Sequence, residues 1–256
     1  MENEQLIYIV SIGIIAIIIS LYYFKNIPEQ IPIVVVAYNN LFFVRKFINQ
    51  LKKYDNPIIL FDNNSTYEPL LEYYKDIKAE LGSKIDIRLM DKNYGHAVFY
   101  LYEDTLPNVY ILSDPDLQLN PRMPENFSEI LFDLSKKYQA SKISLALDIS
   151  EKDKFVECKK YESKKTIYDW EKQFWENPIA DLQYELYESP IDGATTFFLK
   201  NKNIPEKRQI RIAGVFTAKH LPWYKGFLKN RILKEELENW KDANNSSSIL
   251  RGCNTD

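Results

Sequence analysis

Val109–Pro121 reads VYILSDPDLQLNP, an apolar run of strand length that stops abruptly at Ser113-Asp114-Pro115-Asp116. Short apolar runs bounded by turn residues are the pattern of a buried strand. The turn then sets two carboxylates, Asp114 and Asp116, two residues apart at the strand end. A pair of like charges in a pocket cannot stay ionised cheaply without a cation between them. Hard oxygen donors suit Mg²⁺ or Mn²⁺ held jointly with substrate phosphates. A solvated Asp-Pro-Asp turn is the plain alternative.

Working outward, the same rhythm recurs on the N-terminal side. Ile31–Ala37 (IPIVVVA) is a β-branched strand ending in Tyr38-Asn39-Asn40, and Leu41, Val44, Phe47, Ile48 and Leu51 mark one face of a following helix. Pro57–Phe61 is a second strand, closed by Asp62-Asn63-Asn64-Ser65-Thr66. Leu70, Leu71, Tyr74 and Ile77 give another amphipathic helix, Ile85–Met90 a third strand, and Gly95–Glu103 a short helix. Strands alternating with helices predict an α/β fold: a mostly parallel central sheet flanked by helices, with ligands beyond the carboxyl ends of the strands. Past Asn120 the spacing predicts a helix over Pro124–Lys137, a strand over Lys142–Asp148, strand-like stretches at Ala194–Lys200 and Ile210–Tyr224, and a charged helix over Leu228–Lys241.

Composition narrows the function classes. The chain has 256 residues, 33 basic and 36 acidic, so its net charge is −3, without the basic excess of a nucleic-acid binder. Two cysteines, Cys158 and Cys253, make no disulfide framework and have no zinc spacing. Neither a P-loop nor a G-x-G-x-x-G dinucleotide motif is present.

The N-terminal stretch Leu6–Phe24, LIYIVSIGIIAIIISLYYF, is uncharged and long enough to span a ~30 Å hydrocarbon core. Its flanks argue against a cleaved signal, since MENEQ carries acids and no base. The expected organisation is a tail and transmembrane anchor over 1–27, one domain over 28–242 and a flexible tail over 243–256. Lys25 after the span points the domain to the cytoplasmic side, while sequons such as Asn63 and Asn126 allow the lumenal one.

The order VVVAYNN, ILFDNNST, NYGHA and ILSDPDLQLNP resembles the GT-A glycosyltransferases, in the family-2 form. The resemblance covers about Ile31–Pro121; DGATTF (Asp192–Phe197) and RIAGVFTAKHLPWY (Arg211–Tyr224) resemble later elements of a bacterial and viral subgroup. It implies a Rossmann-like nucleotide-sugar fold and transfer of a hexose from a nucleoside diphosphate sugar, UDP-sugar favoured, with inversion. The acceptor, whether glycan, lipid or protein, is open. By the resemblance Ala37, Tyr38, Asn39 and Asp62 line the base, and Asn93 and Gly95 lie against ribose or diphosphate. Asp114 and Asp116 hold Mn²⁺ or Mg²⁺ against the diphosphate, joined by the late histidine His220. Asp62 could equally anchor an Asx turn, and His220 could simply pack on Trp223. Asp192 is the expected catalytic base, with Asp181, Glu185 and Glu188 as competitors. A Glu-Asp pair at a helix start, used as base by many family-2 enzymes, is missing. A sugar nucleotidyltransferase would need a Gly-rich basic loop after the first strand, and AYNN supplies none. A degenerate, membrane-anchored binding module is the remaining alternative.

Removal of Met1–Phe24 is expected to leave a soluble, folded domain, measured by monodispersity and a cooperative melt. Aggregation of the truncated protein beside a monodisperse full chain in detergent would make the apolar stretch part of the fold.

Overall fold

The computed structural model describes residues 30–157, 165–191 and 197–241. The expected anchor and both tails lie outside these residues. Among the described residues, no helix is long and apolar enough to cross a membrane.

The first half follows the alternation. Strand β1 (Ile33–Ala37) pairs in parallel with β2 (Ile58–Asp62) and β4 (Val109–Ser113), and β2 pairs in parallel with β3 (Ile85–Leu89). Strand geometry sends successive side chains to opposite faces. Ile33, Val35 and Ala37 accordingly enter one apolar cluster and Val34 the other. The larger cluster is closed by helices α1 (Leu41–Leu51), α2 (Glu68–Leu81) and, after β5 (Leu117–Leu119), α4 (Phe127–Tyr138). On α1, Val44, Phe47, Ile48 and Leu51 are buried, on the spacing of a single helix face. The other sheet face is covered by a 3₁₀ turn at Gly95–Ala97 and by α3 (Val98–Leu101), which place Val98 and Phe99 against Phe61 and Leu112.

The second half corrects the expectation of a mostly parallel sheet. Here come β6 (Lys142–Leu145), α5 (Ile167–Lys172), β7 (Pro178–Ile179), β8 (Leu186–Glu188), β9 (Phe198–Asn201) and β10 (Gln209–Ile212). The nine-stranded sheet of the described residues runs β3-β2-β1-β4-β9-β6-β10-β8-β7. Strand β9 is antiparallel to both β4 and β6, while β6 and β10 are parallel to each other. Parallel strands need a long crossover between them, and the 202–208 link between β9 and β10 is too short for one. The sheet is therefore mixed. Strand β6 also stops at Leu145, three residues short of the expected end.

The expected stretch Ile210–Tyr224 divides into β10 and β11 (Ala218–His220), separated by a turn with Gly214 at φ 68°. The expected helix over Leu228–Lys241 is likewise broken, into α6 (Phe227–Arg231) and α7 (Lys234–Lys241). Ile232 between them is extended (φ −106°, ψ 138°), which sends its side chain into the core. The break lets α7 clasp the first turn of α1. Glu236, 3% exposed, accepts a hydrogen bond from the Phe42 N–H at 2.6 Å. That N–H is one of the donors a helix start leaves without an internal partner. The Asn239 carbonyl accepts from the Asn39 side chain at 3.2 Å. A buried Arg211–Glu171 ion pair, under the ring of Phe174, fastens β10 to α5.

Burial pushes the Glu236 carboxyl above its ordinary value, against the pull of the Phe42 N–H and Arg45. A raised folded-state value means that the folded chain holds this proton more tightly than the unfolded chain. The stabilisation is complete below the unfolded value and is lost as pH rises through the folded one. Glu236→Gln, which keeps the acceptor and drops the charge, is expected to preserve stability at pH 7 and flatten its pH slope above ~4.3. Glu236→Ala is expected to lose about 1–2 kcal/mol by urea unfolding.

Candidate active site

The parallel strands bring their carboxyl ends to one edge of the sheet, where the polar turns after β1, β2 and β4 meet. Ala37 pairs with Asp62 across β1 and β2, and its carbonyl accepts the Asn63 N–H at 2.9 Å. Tyr38 is half-buried, with its N–H on the Asn40 side chain at 3.3 Å. Asn39, left-handed at φ 46°, ties the first turn to the second. Its N–H donates to Ser65 Oγ at 2.9 Å, and its Oδ1 accepts the N–H groups of Thr66 at 2.8 Å and Tyr67 at 3.0 Å.

Asp62 is 1% exposed and already engaged. It accepts the Ser65 N–H at 2.7 Å, Ser65 Oγ–H at 2.6 Å and Tyr74 O–H at 2.7 Å. The Asx-type turn anticipated as its alternative role is thus formed. An ionised carboxylate offers about four acceptor positions, so about one remains for a ligand. Burial, and then the charge of Asp62, push the Tyr74 phenol well above its ordinary value, so it stays a donor.

Asn63, read in the sequence as a turn residue and sequon, is buried and bridges two turns. Its Nδ2 donates to the Gly95 carbonyl at 3.0 Å and its Oδ1 accepts the Tyr94 N–H at 3.3 Å, joining the second turn to Asn93-Tyr94-Gly95. That burial also removes Asn63 as a glycosylation acceptor. Asn93 accepts the Gly95 N–H at 2.8 Å, and Gly95 has a φ of 59° that disfavours any side chain. His96 is exposed.

The Asp-Pro-Asp turn is held from two sides. Strand β5 after it pairs antiparallel with β11, setting His220 opposite Leu117. On its other edge Gln50 of α1 donates to the Leu117 carbonyl and accepts the Leu119 N–H, at 2.9 and 2.8 Å. Gln50 stands in for the missing strand partner. Its signal in sequence was only a polar residue at the buried end of an amphipathic helix.

This pairing brings His220 Nε2 to 3.2 Å from Asp116 Oδ2. His220 is 4% exposed and also packs on Trp223, ring centroids 4.8 Å apart, so it faces Asp116 and packs on Trp223 at once. Asp116 Oδ1 and His220 Nδ1 are buried without a hydrogen-bond partner. Burial, and then the charge of Asp116, drive the Asp114 carboxyl well above the usual carboxylate range. An unsatisfied buried carboxylate oxygen beside a second crowded carboxyl marks a site short of positive charge. A divalent cation fits that deficit. Among the described residues, no group of three His, Cys, Asp or Glu side chains is placed to hold an ion alone. The expected trio Asp114, Asp116 and His220 is not drawn together as one such group; Asp116 and His220 are in contact, with Asp114 nearby. An incomplete protein shell suits a cation shared with substrate phosphates.

Asp192 lies outside the described residues. Its competitors are tied up. Asp181 accepts from Lys137 at 2.5 Å, Tyr138 at 2.6 Å and two backbone N–H groups, and these donors hold its carboxyl far below the usual range. Glu185 accepts from the Tyr187 hydroxyl and Glu188 pairs with Arg208. Phe174 and Trp223 are buried, and Trp175 packs on Tyr187, so the aromatic residues are mainly packing.

No family model and no curated protein matches the sequence. Solved structures do match. GalNAc-T7 with UDP, GalNAc and Mn²⁺ aligns at TM-score 0.50 and 13% identity, over 75% of this chain and 43% of that one. TarS of S. aureus with UDP-GlcNAc aligns at 0.44 and 9% identity, over 83% and 70%. The mannosyltransferase PcManGT of Pyrobaculum calidifontis with GDP-Man and Mn²⁺ aligns at 0.37 and 13% identity, over 51% and 44%. The chain thus spans less than half the length of two of these three. The fold is the GT-A fold.

Tyr74→Phe removes one donor from the buried Asp62 carboxylate and is expected to cost about 1.5–3 kcal/mol, the range for hydrogen bonds to charged groups. Urea unfolding checks this; an unchanged midpoint would show that the turn does not depend on the phenol.

Proposed function

We propose that this chain is a metal-dependent glycosyltransferase of the family-2 kind. It would move a hexose from a nucleoside diphosphate sugar, UDP-sugar favoured, to a hydroxyl acceptor. The observation that carries the reading is the Asp116–His220 pair with its partnerless buried Oδ1 and Nδ1, beside Asp114, at the carboxyl edge of a GT-A sheet. The Mn²⁺ and nucleotide-sugar ligands of the similar structures agree with that chemistry. A bound cation would neutralise charge on the departing diphosphate as a Lewis acid.

The chain's own residues do the rest. Asp114, Asp116 and His220 supply cation ligands. The turns at Ala37–Asn39 and Asp62 orient the base, with at most about one acceptor position on Asp62 free for it. Asn93 and Gly95 border ribose or diphosphate. The bond from the anomeric carbon to the diphosphate oxygen breaks as the acceptor oxygen bonds to that carbon from the opposite face, which inverts it. The acceptor's proton passes to a carboxylate, for which Asp192 is proposed. The span at Leu6–Phe24 would anchor the domain to a membrane, with the domain on its cytoplasmic side.

Calorimetry of UDP against the full chain is expected to show tight binding only with Mn²⁺; equal affinity without the ion would sink the metal requirement. Asp116→Ala is expected to abolish nearly all turnover, since it removes charge facing the cation. His220→Ala removes one neutral donor, so the Mn²⁺ needed for half-maximal rate rises and excess metal restores part of the activity. A His220→Ala protein with an unchanged Mn²⁺ titration and a lower melting point would leave His220 only its packing on Trp223.

A further inference from the structure

A groove of about 680 Å³ lies between α1 and the α6–α7 corner, and its wall includes Gln50, which bonds β5 just after the Asp-Pro-Asp turn. Its walls include Phe42, Arg45, Lys46, Arg231, Leu233 and Glu236. Three of these are cations, and Arg45, Lys46 and Arg231 form no ion pair among the described residues. Arg45 rests over the Tyr73 ring, 5.2 Å from its centroid. The one acid in the wall, Glu236, is buried with an oxygen on the Phe42 N–H, and Arg45 also pulls on its carboxyl. Glu235 and Glu238 on α7 are outside the lining. With three cations to one acid, the groove wall carries an excess of positive charge on a chain whose net charge is −3.

Its second property is apolar. Leu233 is 68% exposed at the rim, and Phe42 is half-buried in the wall. A simple anion would satisfy the cations and leave these side chains wet. An amphiphile with an anionic headgroup satisfies both.

We propose that this groove binds the phosphate headgroup of an anionic lipid, with Arg45, Lys46 and Arg231 on the phosphate and Leu233 against the upper acyl carbons. Basic side chains at an anionic lipid surface each contribute about fivefold in affinity. Arg45, Lys46, Arg231 and Leu233 have no part in the proposed transfer chemistry, and the proposal does not depend on it.

The test titrates the full chain, in non-ionic detergent, with dihexanoylphosphatidylglycerol, dihexanoylphosphatidylcholine and inorganic phosphate. Saturable binding of the phosphatidylglycerol is expected, with the zwitterionic lipid at least about tenfold weaker. Arg45→Gln, Lys46→Gln and Arg231→Gln together should weaken phosphatidylglycerol binding about a hundredfold, and each alone about fivefold. Leu233→Ser should weaken the lipid and leave inorganic phosphate unchanged. Undiminished lipid binding by the triple variant overturns the site. Inorganic phosphate binding as tightly as the lipid overturns the lipid as its occupant. The single variants decide the matter if the triple variant melts early. Binding is read without turnover, so failure here leaves the glycosyltransfer reading standing, and loss of that reading leaves this one.

Discussion

The short antiparallel pairing of β5 with β11 is the contact on which the candidate site depends. Three residues on each side place His220 beside an Asp-Pro-Asp turn about a hundred positions earlier in the chain. The pairing is reinforced on both flanks. Gln50 occupies the outer edge of β5, while Ala218 bonds to Ala146 and Asp148 on the chain leaving β6. A ribbon this short is marginal alone. It persists because α1 and the β6 exit hold it, so the position of the histidine is set by the whole domain.

The turns after β1 and β2 show a related economy. Asn39 and Asn63 use their side chains mostly on backbone N–H and C=O groups of neighbouring loops, and Asp62 uses its own on Ser65 and Tyr74. Loops at a sheet edge carry unpaired main-chain groups that must find partners once buried. Asparagine and aspartate provide them at short range. The same residues that would meet a nucleotide are thus the ones that hold the loops in shape. The clasp of α7 on α1 through Glu236 and Asn39 extends this network to the last described helix.

Much of this was legible in the sequence, and the limits have physical causes. Strands β1, β2 and β4 and helices α1 and α2 announce themselves by local periodicity, because their faces are buried continuously. Asp114 and Asp116 are legible because a proline turn closes an apolar strand. The antiparallel insertion of β9 was not legible, since strand direction depends on partners far away in the chain and not on local pattern. Nor was the double duty of His220, which both packs on Trp223 and faces Asp116. The bridging roles of Asn63 and Gln50 were missed because they are hydrogen bonds to backbone, which leave no compositional trace. The break at Ile232 was hidden because a charged stretch still scores as helix when one residue turns inward.

The insertion of β9 has a consequence for the order in which the chain can assemble. Strands β4 and β6 never touch each other; both lie against β9, which is reached only at Phe198–Asn201. As the chain emerges in sequence, the first four strands can associate early. The inner edge of β4, however, stays bare until some eighty more residues have followed. A bare strand edge is a template for pairing with other chains, and closing it demands contacts of long sequence separation, which form slowly. During synthesis, then, the β4 edge in the middle of this sheet is sealed long after its own strand is made, and it stays adhesive until then.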